Sequence, residues 1–309
     1  MKSLKVPYIY FGGKSRVAHV VWEGLGKIEQ YVEPCLGSGA VLLARPLHFK
    51  CREVANDIDL LLTNFWRSLS LKPDQVIRHA QSPCNEIDLI ARNNWLVNTQ
   101  NDWRQKFVDD PEYCEPKHAG WWVWGASIWL GQGWCKRLVG KALPRLSGQG
   151  GIHRFSVDSI EDYLMGLSRR MFRVQIACGD WNRVVTPGAT TVSNNGVVGV
   201  FLDPPYDDPG RSAGLYRHDN QIVSKRMRCW AVNNGDDPKF RIVFAGYFDQ
   251  HDDKFPENWR RYQYTGPSSY QTTASAAQGN GNNLNRKKEC LWFSPHCVQP
   301  KRGLFTHGR

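Results

Sequence analysis

Asp203-Pro204-Pro205-Tyr206 is the segment of this chain whose residue types are best suited to chemistry. It follows the apolar run Val197-Val198-Gly199-Val200-Phe201-Leu202, which predicts a buried strand. A carboxylate, two prolines and a phenol ring at the carboxyl end of such a strand suit the grip of a flat, amine-bearing ring. The Asp203 carboxylate accepts a hydrogen bond from an exocyclic amine. The Pro204 carbonyl accepts a second, because the two pyrrolidine rings restrict the local backbone and aim it. The Tyr206 ring can stack on the flat ligand. The same four residues would also serve an ordinary strand-to-loop turn, since Pro and Asp punctuate loops generally.

A second constellation lies upstream, in Val32-Glu33-Pro34-Cys35-Leu36-Gly37-Ser38-Gly39-Ala40-Val41. A strand over 30–33 runs into a glycine-rich bend and then a helix over 40–47. Glycines let backbone approach a ligand closely, and a helix start offers free N–H groups. The spacing is not the dinucleotide fingerprint, and no Gly-Lys-Ser/Thr follows, so it is not a phosphate loop. About twenty residues on stands Asn56-Asp57-Ile58-Asp59, where an acid at the end of the second strand of an α/β unit is placed for a ribose diol. Asp57 is the residue so placed, and Asp59 begins the next helix as a favourable first-turn charge. A third segment, Tyr8-Ile9-Tyr10-Phe11-Gly12-Gly13-Lys14, precedes a helix over 15–24. A plain N-terminal loop with a solvated lysine would read the same way.

In this order the three segments resemble the Dam-like adenine-N6 DNA methyltransferases, phage-encoded members included, and the resemblance covers most of the chain. It implies a Rossmann-like α/β methyltransferase fold: a mostly parallel central sheet, a C-terminal antiparallel hairpin and an inserted, mainly helical target-recognition subdomain. It implies S-adenosylmethionine as cofactor and double-stranded DNA as partner. The cofactor would be met by Tyr8, Tyr10, Gly12 and Lys14, then by Glu33, Cys35, Gly37, Ser38, Gly39 and Ala40 of the glycine bend. Asp57 and Ile58 would meet its ribose. Asp180 and Trp181, in Cys178-Gly179-Asp180-Trp181, would meet its adenine. Asp203, Pro204, Pro205 and Tyr206 match the catalytic tetrapeptide. Arg286-Lys287-Lys288-Glu289-Cys290-Leu291-Trp292-Phe293-Ser294 is similar to the final strand of phage members. Cys35 stands where an aromatic residue is usual, which puts cofactor affinity in doubt. The Trp-rich helix of the insertion resembles the family's recognition region only loosely, so no target sequence carries over.

The chemistry so implied is simple. An adenine amine is a weak nucleophile because its lone pair is conjugated with the ring. Hydrogen bonds from N6–H to Asp203 and to the Pro204 carbonyl favour a pyramidal nitrogen. Direct displacement on an activated methyl requires positioning, which supplies roughly 7–11 kcal/mol of a barrier, and requires no metal. The target atom lies inside a duplex, so the base must swing out. A Ser in place of Asp203 would favour cytosine N4, and the Asp favours adenine. An inactive DNA-binding relative remains the alternative outside enzymology. An eroded bend or a lost Asp would signal it, and neither is present.

Several elements must position these residues. The chain has 309 residues and a net charge of +11, enough for one catalytic domain with an insertion and suited to a polyanionic partner. Strands are predicted over 53–56, 173–177, 197–202, 240–245, 260–264 and 289–293, and helices over 60–70, 74–80, 120–130 and 219–232. Strands alternating with helical patterns imply a mostly parallel sheet. Residues 1–71 and 172–309 form the catalytic domain, with 72–171 as the insertion. Lys136, Arg137, Lys141 and Arg145 in the insertion, and Arg211 and Arg217 after the tetrapeptide, are candidate DNA contacts, although a solvated basic face would also carry them. Residues 265–285 are rich in Ser, Thr, Gly, Gln and Asn and cannot build a core, leaving a link or a DNA-contacting loop. Of 13 tryptophans, most are expected in the core, with stacking on bases open to some. Nine scattered cysteines without a Cys-x-x-Cys pair argue against a disulfide framework or zinc site and fit a reducing cytoplasm. No apolar run of about 18 residues is present, and residues 1–7 lack the apolar stretch of a signal peptide.

Overall fold

The computed structural model describes residues 4–8, 10, 12–99, 103–129, 134–135, 143–144, 151–154, 157–205, 221–264 and 289–299. In chain order the elements are helix α1 (Ala18–Leu25), strand β1 (Gln30–Glu33), α2 (Ala40–Leu43), β2 (Arg52–Asp57), α3 (Leu60–Leu71), α4 (Pro73–Ala80), α5 (Glu86–Asn98), α6 (Trp103–Asp109), α7 (Pro116–Ile128) and α8 (Val157–Met171). They continue with β3 (Val174–Cys178), β4 (Val198–Leu202), α9 (Gln221–Asn234), β5 (Phe240–Tyr247), β6 (Arg260–Gln263) and β7 (Glu289–Phe293).

The seven strands form one sheet in the order β3-β2-β1-β4-β5-β7-β6. β1 to β5 are parallel, and β7 runs antiparallel to both β5 and β6. The protein is therefore α/β with a mostly parallel sheet closed by an antiparallel hairpin. β1 and β4 are buried at every position, as central parallel strands covered on both faces must be. Alternation along each strand divides the core. Tyr31, Ala55, Phe201, Val243, Ala245, Leu291 and Phe293 join a cluster with α1, α3 and α7. Val32, Val54, Val200, Leu202, Ile242, Phe244 and Trp292 face the other side, with Met227 and Ala231 of α9.

Every strand expected from the apolar runs is present, within two residues at each end. The helices fit less closely. α2 is a single turn, because Pro46 stands where the run to residue 47 would need another amide. α5 and α6 lie between residues 80 and 120, where no helix is predicted above. α5 starts on an Asn85 side chain that accepts from the Asp88 amide, yet leaves Ile87 and Ile90 exposed, so its apolar pattern misleads. α8 buries Ile160, Leu164, Leu167 and Met171, a helical spacing that was legible. Among the described residues of 72–171, Val76, Ile77 and Ala80 of α4 and Ala119 and Val123 of α7 share one cluster with Leu62, Phe65 and Leu69 of α3. All nine cysteines are free thiols. Among the described residues no helix is long and apolar enough to cross a membrane.

Candidate functional site

A cavity of about 360 Å³ opens at the carboxyl ends of β1, β2 and β4, where open parallel sheets bind ligands. β1 lies between β2 and β4. The glycine bend after β1 and the Asp203 tip after β4 are therefore immediate neighbours and share this cavity.

The bend is built by glycines in conformations that other residues avoid. Gly37 has φ +48°, and Gly39, with φ +67°, precedes the first turn of α2. The Tyr8 hydroxyl donates to the Gly37 carbonyl at 2.7 Å. The Gly37 amide donates to Asp57 Oδ2 at 2.9 Å, and the Asp59 amide to Asp57 Oδ1 at 3.0 Å. Asn56 ties three segments together. Its Nδ2 donates to the Pro34 carbonyl at 2.9 Å and the Gly179 carbonyl at 3.0 Å, while its own carbonyl accepts from Leu36 at 2.8 Å.

Of the residues singled out in the sequence, Tyr10, Gly12, Lys14, Glu33, Cys35, Gly37, Ser38, Ala40, Asp57, Ile58, Asp180, Trp181, Asp203 and Pro205 line the cavity. Tyr8, Gly39 and Pro204 do not. Tyr8 is wholly buried behind the bend and acts through its hydroxyl, and Gly39 serves the start of α2. Tyr206, Lys136, Arg137, Lys141, Arg145, Arg211 and Arg217 lie outside the described residues. Lys14 is no solvated lysine. It is almost fully buried, donates to the Gly12 carbonyl at 2.6 Å and pairs with Asp203 Oδ1 at 3.0 Å. Asp59 accepts from the Leu61 amide and caps α3, as its position before that helix implied. Asp180 likewise accepts from the Asn182 amide, opening a 3-10 turn over Trp181–Val184. Sequence reasoning missed Asn56 as a site residue. The strand reads Arg-Glu-Val-Ala-Asn-Asp, so Asn56 does not stand out in it as a polar side chain.

The electrostatics are unusual for so basic a chain. Among the described residues, five carboxyl groups (Glu33, Asp57, Asp59, Asp180 and Asp203) line the cavity against the single ammonium of Lys14. Burial pushes the Glu33 carboxyl well above its ordinary range, against the opposing hydrogen bond from the Tyr31 hydroxyl at 3.0 Å. Burial also raises Asp57 to about 6, opposed by the amides of Asp59 and Gly37. Cys35 is pushed up by burial and by Asp57 and Asp203 beside it, so its thiol stays protonated and unreactive. Among the described residues, Asn56 Oδ1 and Trp181 Nε1 are buried with no hydrogen-bond partner, and both residues line the cavity. An orphaned polar group of this kind costs about 1–3 kcal/mol, which a ligand with matching donors and acceptors would offset. Such a wall suits a cationic ligand carrying hydroxyl and amide-like groups and repels phosphate. Neither a protein-family model nor a curated protein sequence matches the chain.

Proposed function

We propose that this chain transfers a methyl group from S-adenosylmethionine to the N6 amine of adenine in double-stranded DNA. One observation carries the reading: the Asp203 tip and the glycine bend at Gly37 line a single acidic cavity. S-adenosylmethionine bears a sulfonium, an ammonium and a ribose diol, and five carboxyl groups against one lysine suit that set. Asp57 would hold the diol, and Asp180, Trp181 and the orphaned Asn56 Oδ1 would meet the adenine end. Glu33, whose burial favours the neutral form, would order the bend through Tyr31. When bound, the cofactor supplies a methyl already activated for displacement.

The chain's own residues supply position. Lys14 pairs with Asp203 Oδ1 and so fixes the carboxylate that would accept from the target amine. The two prolines after it hold the turn rigid. The sheet order with its closing hairpin, the arrangement that the family resemblance implies, supports the same reading, as does a net charge of +11 on a chain whose cavity is acidic. Positive charge outside and negative charge within match a polyanion outside and a cationic cofactor within. Residues 72–171 are proposed to contact the DNA.

The test is incubation of the chain with methyl-labelled cofactor and duplex DNA, followed by mass analysis of the nucleosides. Label in N6-methyladenine is expected. Label in N4-methylcytosine, or none in DNA, overturns the proposal.

A further inference from the structure

On the side of α7 away from the sheet, cations and indole rings alternate. Lys117 Nζ lies 4.6 Å from the ring centre of Trp95 and 4.4 Å from that of Trp121. The Arg92 guanidinium lies 5.1 Å from Trp121 and 4.1 Å from Trp124. Trp95 and Trp121 meet edge to face at 5.0 Å, and His79 of α4 approaches Trp121 edge to face. Trp124 is buried and donates to the Ser82 carbonyl, whereas Trp95, Trp121, Arg92 and Lys117 are half-buried and Arg78 is exposed. Arg92 and Lys117 thus share the Trp121 ring, and exposed Arg78 precedes His79, which meets the same ring. Their field is felt at His79, which burial and these three charges together hold below its ordinary value. Among the described residues the only ion pair here is Arg92 with Asp88, at 3.3 Å. Among the described residues no carboxylate pairs with Lys117 or Arg78.

We infer that this face of α4, α5 and α7 grips the phosphates of duplex DNA through Arg78, Arg92 and Lys117 without reading its bases. The inference deepens the proposed function and rests on its choice of DNA as partner. Positive charge on a helical face, here offset only in part by the Arg92–Asp88 pair, meets a polyanion and releases its counterions. The absence of base reading follows from the rings. Cations already lie over Trp95 and Trp121, so a stacking base would have to displace them. The rings instead hold the long cationic side chains extended, which reduces the freedom lost on binding.

The test measures affinity of the full chain for two duplexes of unrelated sequence, without cofactor, across a range of salt. Arg78→Gln with Lys117→Gln is the informative pair, because Arg92 also packs on the buried Trp124. Losing two phosphate contacts should flatten the slope of log affinity against log salt by about 1.8, at about 0.9 per contact, and equally for both duplexes. Arg78→Lys with Lys117→Arg should restore it. Lys27→Gln with Lys50→Gln removes the same charge from exposed positions at the amino ends of β1 and β2, away from this face, and should leave the slope as it was. An unchanged slope in the first pair, an equal change in the control pair, a loss confined to one duplex, or a wild-type chain that binds neither duplex overturns the inference. Methyl transfer is measured separately on the wild-type chain. A chain with the predicted salt dependence and no transfer keeps the grip and loses the enzymatic reading.

Discussion

Lys14 Nζ lies 3.0 Å from Asp203 Oδ1, joining the N-terminal turn to the tip of a central strand. The lysine also donates to the Gly12 carbonyl at 2.6 Å. Two fixed contacts on a buried ammonium make it a strut rather than a free charge. The carboxylate is therefore oriented before any ligand arrives.

From this contact follows the first prediction. Asp203→Ala should lower methyl transfer by roughly 10²–10³-fold, the usual effect of removing one pre-aimed hydrogen-bonding group, while cofactor affinity stays within a few-fold. Lys14→Met should lower turnover less, by about tenfold, because the carboxylate remains but loses its orientation. Single-turnover rates and calorimetric cofactor titration separate the two. Full activity in Asp203→Ala would remove its role.

Asp57 predicts a pH dependence. Its folded value of about 6 lies above the ordinary 3.8, so the folded chain holds this proton more tightly than the unfolded chain does. The resulting contribution to stability is complete below about pH 4 and is lost as pH rises through about 6, to a total on the order of 3 kcal/mol. Asp57→Asn should flatten that part of the stability profile, read by urea denaturation from about pH 4 to pH 8. In the wild type, cofactor binding should strengthen as pH rises through about 6 and the carboxylate forms. In Asp57→Asn the binding should be weaker and level.

The glycine bend makes an ordered pair of predictions. Tyr8→Phe removes one hydrogen bond to the Gly37 carbonyl and should cost about 1 kcal/mol of stability, with cofactor binding several-fold weaker. Gly37→Ala should cost more. It forces a side chain into a left-handed conformation, worth about 1–2 kcal/mol, and its Cβ would lie 2.9 Å from Tyr10 Cε1. Denaturation midpoints and titrations should rank the variants in that order, and the reverse ranking would refute the account of the bend.

Glu33 separates a structural acid from a charged ligand contact. Burial pushes its carboxyl upward and favours the neutral form, so Glu33→Gln, which keeps that form's shape, should bind the cofactor within about twofold of wild type. A loss of tenfold or more would show that an ionised Glu33 meets the ligand's ammonium.

Legibility followed the range of the interactions. The strand over 30–33, the tip at Asp203 and the glycine bend were readable because apolar runs and turn residues act over a few neighbours. Asp59 at the start of α3 was readable for the same reason. α5 was not, because it exposes Ile87 and Ile90 and half-buries Trp95 against Lys117 and Trp121. Those rings serve a cation ladder rather than a simple core stripe. Asn56 escaped notice because an asparagine in a strand declares itself only when the carbonyls of Pro34 and Gly179 converge on it.

By itself, the sequence determined the strand set and the chemical character of two loops, since each follows from local backbone preference and burial pattern, while the closing hairpin was an expectation from the resemblance. Tertiary structure alone decided that β1 lies between β2 and β4, which brings the two loops side by side and sets Lys14 against Asp203. It also decided that the helices of residues 72–171 bury their apolar faces on α3 as well as on one another. Such choices depend on how distant segments compete to cover the same apolar surface, and no window of neighbouring residues contains that competition.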